Sequence, residues 1–382
     1  MKMLNGLIAS VFALATGVAQ AEYSVNFLNP IDGGFQSGVV AINNLNQAVG
    51  YSYVGDPYSY SQASSRATLW NPQPTYLSSQ DIGGSGAGAI NDLGQVVGFS
   101  KPTSGIRGIT ATVWENGQAS TLTGLGGMES GANGMNNSGL IVGWAMMPNY
   151  PTPGAASHHA VSWYNGTVTD LGTLTGGTAA FATSVNNNGL IVGFSDSSTT
   201  GYRAVLWTGY TATMLGNLGG NGSYAYSIND SGQIVGISAN ANQDNRPVMW
   251  TDSGIQDLGT LGGSTGYALD INSSGQIVGN STTSGSFSPR AALWANGSIY
   301  DLNNLVDQKL IREGWNFYSA SSINDNGVIV GDALNSVTGI ASSFMLTVTT
   351  PVPEPETYAL MLAGLAVVGA AARRRKTPAV QA

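Results

Sequence analysis

The chain has 382 residues, of which 53 are glycine and only 9% are charged, while its hydrophobic fraction of 42% is ordinary for a folded protein. Between residues 22 and 350, eight basic side chains face nineteen acidic ones, and this net charge of −11 argues against a nucleic-acid partner because such a surface repels phosphate. The lack of cysteine excludes disulfides, thiolate metal sites and cysteine nucleophiles.

The first predicted element is a secretory signal peptide at residues 1–21. Lys2 precedes an apolar stretch, and Ala19-Gln20-Ala21 has the small-x-small pattern of a cleavage site, with Ala19 and Ala21 as its small residues. We therefore expect an exported chain whose mature form begins at Glu22.

Seven copies of a phrase of the form Ile-Asn-x-x-Gly-Gln-Val-Val-Gly follow, spaced by 43 to 52 residues. Repeats of this length are typical of solenoids and propellers. The turn glycine is replaced only by Asn46, and asparagine is the non-glycine residue that best tolerates a positive φ. The repeated asparagines, expected in a structural role in hairpin turns, are Asn43, Asn91, Asn136, Asn186, Asn229, Asn272 and Asn324.

Each copy divides into four predicted strands. In the clearest copy these are residues 224–229, 233–238, 246–250 and 255–258, with tight turns between the first and second and between the third and fourth. Outer turns such as Asn116-Gly117, Asn165-Gly166 and Asn296-Gly297 favour the type that matches strand twist. Gly-Gly pairs, such as Gly219-Gly220, are expected in the turns between copies. The third strand ends in a tryptophan expected to pack between repeats, at Trp70, Trp114, Trp163, Trp207, Trp250 and Trp294.

Four strands in each of seven copies predict an all-β fold, a seven-bladed β-propeller spanning residues 22–350. The seventh copy supplies three strands, and the strand-like residues 23–28 fit its missing fourth place. We therefore expect the amino- and carboxy-terminal strands to pair and close the ring. An open β-solenoid is the alternative.

The tail, residues 351–382, has three parts. Pro353-Glu354-Pro355 precedes fifteen uncharged residues, 358–372, and then the basic cluster Arg373, Arg374, Arg375 and Lys376. As a helix, the apolar run covers ~22 Å, short of the ~30 Å hydrocarbon core, so it predicts a marginal membrane span. The basic cluster should stay cytoplasmic and leave the body outside the inner membrane.

This tail resembles the PEP-CTERM sorting signal. The resemblance implies an exosortase-type processing enzyme as a partner, cleavage near the Pro-Glu-Pro motif, and release from transient inner-membrane anchoring to the cell surface or extracellular matrix of a Gram-negative bacterium. The repeats over residues 23–348 resemble HAF-family extracellular repeats, with L-G-x-L-G-G, I-N-x-x-G-x-x-V-G and A-x-x-W phrases. That resemblance implies the repeat architecture and no established activity.

Catalytic and metal-binding candidates are few. The only histidines are His158 and His159, and His159 occupies a position where other copies have arginine, which favours a structural or surface role. His158 and the Pro-containing insertion before it are placed where they can rim a ligand site. Asp92, Asp230 and Asp325 follow the repeated asparagine, so a turn role is favoured over a catalytic one. No cofactor is expected, although the Asn-Asp-x-Gly phrase has a weak similarity to a calcium loop.

These observations favour a non-enzymatic surface or matrix propeller, with exopolysaccharide the favoured partner class. One alternative is a carbohydrate-active enzyme that uses two channel carboxylates. Another is a purely structural surface protein.

Overall fold

The computed structural model describes residues 22–56, 64–78, 83–101, 108–148, 157–198 and 201–349. Residues 23–347 form one compact unit of seven four-stranded antiparallel sheets, the blades of a β-propeller. The signal peptide, the apolar run 358–372 and the sorting motif all lie outside the described residues.

The blades are numbered 1 to 7 by the chain order of their innermost strands, and each innermost strand ends at the repeated Ile-Asn phrase. These strands are β2 (Gly34–Ile42), β6 (Gly84–Ile90), β10 (Ser130–Met135), β14 (Ala180–Val185), β18 (Gly219–Ile228), β22 (Gly262–Ile271) and β26 (Trp315–Ile323). Gly219-Gly220 forms the first two residues of β18, so its predicted place in a turn between copies is wrong. The same holds for Gly262-Gly263 in β22.

The second strand begins with the Val-Gly phrase. These strands are β3 (Ala48–Val54), β7 (Val96–Lys101), β11 (Ile141–Met146), β15 (Ile191–Ser195), β19 (Ile234–Asn240), β23 (Ile277–Thr283) and β27 (Ile329–Asn335). The third strands are β4 (Ser64–Asn71), β8 (Thr110–Glu115), β12 (His158–Tyr164), β16 (Arg203–Thr208), β20 (Asn245–Thr251), β24 (Pro289–Ala295) and β28 (Ala341–Thr349).

The outer strands are short and polar, which limits pairing with other chains at exposed sheet edges. They are β5 (Gln73–Tyr76), β9 (Gln118–Thr121), β13 (Thr167–Gly172), β17 (Thr211–Met214), β21 (Gly254–Asp257) and β25 (Ser298–Asp301). In the seventh blade this outer place is taken by β1 (Glu22–Leu28), which lies beside β28 in the order β1-β28-β27-β26. The predicted closure of a seven-bladed ring is therefore confirmed, and the open solenoid is wrong.

Helical structure in the described part of the chain is limited to the connection between blades 6 and 7. A 3₁₀ turn spans Leu302–Asn304 and α1 spans Gln308–Arg312. The Asp307 side chain caps α1 by accepting a hydrogen bond from the Lys309 backbone N–H.

The hydrophobic core is divided into clusters that lie between adjacent blades. One cluster joins Val192 and Ala204 of blade 4 to Ile228, Val248 and Trp250 of blade 5. Because each blade buries one face against its neighbour, the ring is stabilised by repeated interfaces.

The antiparallel order gives the ring two different faces. The turns between first and second strands, and between third and fourth strands, lie on one face, named here the turn face. The connections from second to third strand lie on the opposite face, named here the loop face.

Candidate functional site

A central channel runs along the innermost strands. Each of these strands contains a β-bulge two or three residues before the repeated Ile-Asn phrase. A bulge leaves one residue outside the regular pairing and redirects its side chain. The seven bulged residues line a cavity of about 430 Å³, and they are Val40, Gly88, Asn133, Thr183, Tyr226, Leu269 and Ser321.

A closed ring of hydrogen bonds surrounds the turn-face mouth of this channel. The Nδ2 of each repeated asparagine donates to the backbone carbonyl of the repeated asparagine in the next blade, at distances from 2.9 to 3.3 Å. The last bond, from Asn324 to the carbonyl of Asn43, joins blade 7 to blade 1. The asparagines therefore connect all seven blades.

The same asparagines also stabilise their own hairpins. The Oδ1 of Asn186 accepts from the backbone N–H groups of Asn188 and Leu190 at 3.1 and 2.9 Å. One side chain thus caps the turn with its oxygen and reaches the next blade with its nitrogen, and an ionised aspartate lacks the donor that the second contact needs.

The glycine position of the turn requires a positive φ, as the sequence predicts. Gly232 has φ +77°, and Asn46 takes φ +61° in the first copy. Asn116, Asn165 and Asn296 also have positive φ, each followed by a glycine with positive φ, as the predicted strand-matching turns require.

The acidic residues after the repeated asparagines bond across blade boundaries. Asp92 Oδ1 accepts from the backbone N–H of Asn44 at 2.9 Å, and Asp325 Oδ1 accepts from that of Ser273 at 2.8 Å. Burial raises the pKa of Asp325, but hydrogen bonds from Ser273 and Asn44 outweigh it, so the net pKa lies below its ordinary value. Both contacts join neighbouring blades, and the bonds to Asp325 favour its ionised form.

Asp270 is an acidic residue of the channel that the sequence analysis missed. It stands where other innermost strands have alanine, glycine or serine, and aligning the seven copies shows that difference. Its carboxylate accepts from the hydroxyls of Ser227 and Ser322 at 2.7 and 2.6 Å, and from two backbone N–H groups. Burial raises its pKa, and these bonds oppose the shift. Because four donors already occupy it, its carboxylate has little free capacity to act on a substrate.

The six repeated tryptophans lie between blades, with relative exposures of 0 to 4%. The indole N–H of each donates to a backbone carbonyl 34 to 41 residues earlier in the chain, as from Trp250 to Gly216 at 2.8 Å. A buried indole N–H needs such a partner. These side chains are therefore enclosed and do not present a surface to ligand.

In blades 3 and 5, a basic residue near the start of the third strand contacts an aspartate of the outer strand near the loop face. His159 Nδ1 lies 2.9 Å from Asp170 Oδ2, and Arg246 Nε lies 3.0 Å from Asp257 Oδ2. This shared geometry supports the structural reading of His159. Among the described residues, no group of three or more histidine, aspartate or glutamate side chains could hold a metal ion.

The loop-face end of each blade carries a set of cross-strand pairs that the sequence analysis missed. The residue after the Val-Gly phrase faces a residue of the innermost strand, and six of the seven pairs contain an aromatic side chain. The pairs are Gly38/Tyr51, Gly86/Phe99, Gly131/Trp144, Phe181/Phe194, Tyr224/Ile237, Tyr267/Asn280 and Ser319/Asp332. In the first three blades a ring covers a glycine, since a Cβ on Gly86 or Gly131 would lie 2.8 Å from the facing ring.

The aromatic side chains of blades 3 to 5 touch one another and form a continuous group. This aromatic arc consists of Trp144, His158, Phe181, Phe194, Tyr202 and Tyr224, with centroid separations between 4.9 and 5.9 Å. All six side chains are partly exposed, in contrast to the repeated tryptophans. His158 therefore joins an aromatic surface. Two of its members, Trp144 and Phe194, stand directly after the Val-Gly phrase, and that position was their sequence signal.

Comparison with protein families identifies the carboxy-terminal segment. Residues 351–376 match the PEP-CTERM protein-sorting motif. In the described residues no helix is long and apolar enough to cross a membrane, and the apolar run of the tail lies beyond them. A comparison with curated proteins found no match.

Solved structures resemble this chain at low sequence identity. TolB from Acinetobacter baumannii is 13% identical with a TM-score of 0.41, and the match covers 68% of this chain and 62% of that one. The β-propeller domain of the Trilobed protease from Pyrococcus furiosus is 8% identical with a TM-score of 0.41, covering 70% and 96%. A gluconolactonase from Xanthomonas campestris is 13% identical with a TM-score of 0.37, covering 87% and 93%. This chain thus spans under two thirds of TolB, and these likenesses support no functional inference.

The motif at 351–376 marks an exported protein sorted by an exosortase, and the body of this chain is a seven-bladed β-propeller.

Proposed function

We propose that the propeller is a non-enzymatic interaction module, displayed at the cell surface or in the extracellular matrix, that binds exopolysaccharide. The aromatic arc of blades 3 to 5 is the single observation that carries this proposal. Its six side chains are in mutual contact yet keep part of their surface exposed on the loop face.

Such a surface suits a sugar chain. The C–H faces of a sugar ring are apolar and flat enough to stack on an aromatic face, while its hydroxyl groups remain in water. Aromatic side chains also contribute a large contact area with little loss of conformational entropy. The tryptophans already fill the space between blades, so the exposed arc is not needed for that packing.

The proposed organisation of the chain fits this role. Residues 1–21 would direct export, residues 22–350 would form the displayed body of HAF-family repeats, and residues 351–382 would anchor the protein until an exosortase processes the tail. The sorting motif supports the last step. The acidic body would remain soluble and repel nucleic acid outside the cell.

Saturable binding of a polysaccharide panel to the purified protein tests the proposal. Trp144→Leu and Phe181→Leu each keep an apolar side chain but remove a flat aromatic face. We expect each variant to bind the best polysaccharide about fivefold more weakly, from a stacking contribution of ~1 kcal/mol. Tyr210→Leu is the matched control, because Tyr210 is 77% exposed on an outer hairpin of the turn face.

Two results would contradict the proposal. Products released from the polysaccharide, and lost on substitution of a channel acid, would make the protein a carbohydrate-active enzyme. Absence of saturable binding to the whole panel would favour a purely structural surface protein.

A further inference from the structure

The junction between blades 7 and 1 differs from every other blade junction on the loop face. In six blades the cross-strand pair that includes the residue after the Val-Gly phrase contains an aromatic side chain. In blade 7 this pair is Ser319 on β26 and Asp332 on β27. The break in the aromatic series therefore introduces a carboxylate. The surrounding residues are named here the Asp332 groove: Phe35, Tyr51, Tyr53, Tyr318 and Asp332.

Both blades fix the position of this carboxylate. The Ser343 hydroxyl of β28 donates to Asp332 Oδ1 at 2.7 Å, and the backbone N–H of Val39, in blade 1, also donates to this side chain. Asp332 nevertheless keeps part of its surface exposed. The side chain is thus held in one place by two donors, and it is largely buried although part of the residue is exposed.

Aromatic surface lies beside it on blade 1. The Tyr51 ring covers Gly38 and meets the Tyr53 ring edge-on at a centroid separation of 5.2 Å. The Tyr53 ring is stacked with that of Phe35 at 6.1 Å, and Phe35 is 39% exposed. The groove therefore combines stacking surface with one fixed hydrogen-bond acceptor, as a sugar-binding pocket requires.

Asp332 is the group in this groove whose charge changes near neutral pH. Burial raises its pKa to about 6, against the bonds from Ser343 and Val39. Two titratable side chains, Tyr51 and Tyr318, lie close enough to feel the charge of Asp332. Burial and this charge both raise the pKa of each phenol, so both phenols stay neutral. Asp332 consequently carries a negative charge above about pH 6 and loses it below.

We infer that the Asp332 groove selects the saccharide by charge, accepting uncharged hydroxyl-bearing sugars and rejecting sugars that carry a uronate carboxylate. This inference rests on the proposed polysaccharide binding and names its substrate class. Sugar hydroxyls can donate to the fixed carboxylate, whereas a second carboxylate beside it is repelled in a partly desolvated site.

The test compares an uncharged glucan with the same glucan oxidised at C6 to glucuronate, using the full-length protein. Above pH 7 we expect the wild type to bind the uncharged polymer at least tenfold more tightly. Asp332→Asn should improve binding of the oxidised polymer about tenfold, because one repulsive charge is removed. Asp230→Asn is the matched control: it removes a charge on the turn face, and sister copies have Asn137 and Asn187 at that position.

A pH titration of the wild type gives an independent measurement that needs no variant. A uronate carboxyl, with a pKa near ~4, stays ionised while Asp332 becomes neutral. Binding of the oxidised polymer should therefore strengthen as the pH falls through about 6. Equal wild-type affinity for both polymers, or discrimination that neither Asp332→Asn nor pH alters, overturns the charge-selection inference alone. Failure of both polymers and of the wider panel to bind overturns the proposed function and this inference with it.

Discussion

The repeated asparagine has two roles that depend on its two different side-chain atoms. In blade 4, Asn186 Oδ1 accepts two backbone N–H groups of its own turn, while Nδ2 donates to the Asn229 carbonyl at 3.0 Å. Asn186 is 3% exposed, so water cannot replace these bonds without rearrangement. The chemistry of one amide therefore explains why the same residue type recurs at this position.

Substitution of Asn186 separates the two roles. Asn186→Ala removes all three bonds, and we expect a loss of about 3 kcal/mol in the free energy of unfolding, measured by chemical denaturation. Asn186→Asp keeps the acceptors for the turn but directs a carboxylate at the Asn229 carbonyl, so it should also destabilise the protein at neutral pH. Ser231→Ala, at an exposed position in the next turn, should change stability by less than ~0.5 kcal/mol. Wild-type stability in Asn186→Asp would show that the bond between blades contributes nothing.

At the scale of the element, two glycines of blade 5 act for different reasons. Gly232 lies in the turn with φ +77° and has no atom within 4 Å of the place where a Cβ would be. Gly236 lies in β19, where a Cβ would overlap the backbone carbonyl of Tyr224. The first glycine permits a backbone conformation, and the second permits close approach of two strands.

These two positions give a matched pair of variants. Gly232→Ala should cost about 1 kcal/mol of unfolding free energy from backbone strain, and Gly232→Asn less, since Asn46 already occupies the equivalent place. Gly236→Ala should cost more than ~3 kcal/mol or prevent folding, because main-chain atoms must separate. Equal losses for the two alanine variants in thermal and chemical unfolding would contradict this distinction.

At the scale of the whole molecule, closure depends on β1. Leu28 is 2% exposed and packs in a cluster that includes Val39 and Trp70 of blade 1 and Val328 and Val330 of blade 7. The first and last strands of the propeller are also linked by the hydroxyls of Ser24 and Thr347 at 2.6 Å. One amino-terminal strand thus joins the ends of the ring without a covalent bond.

Loss of this contact should weaken the entire ring. Leu28→Ala should lower the free energy of unfolding by about 3 kcal/mol through lost burial and a cavity at the closure. The exposed Asn26 on the same strand provides the control, and Asn26→Ala should have little effect. A Leu28→Ala protein that unfolds with the same midpoint as Asn26→Ala would show that β1 is not needed to hold the ring closed.

Local and periodic features of this protein could be predicted from its sequence. The spacing of the Ile-Asn phrases, the Asn-Gly turns, the glycine substitute Asn46 and the missing seventh outer strand predicted a closed seven-bladed ring, because turn geometry and strand pattern are properties of short segments. The contacts between blades could not be predicted in this way and became visible with the folded chain. The Asn324 side chain reaches Asn43 across 281 residues, the aromatic arc draws on three blades, and Asp332 receives hydrogen bonds from both ends of the ring. Those contacts depend on how strands of different blades are placed around one axis, which no single repeat encodes.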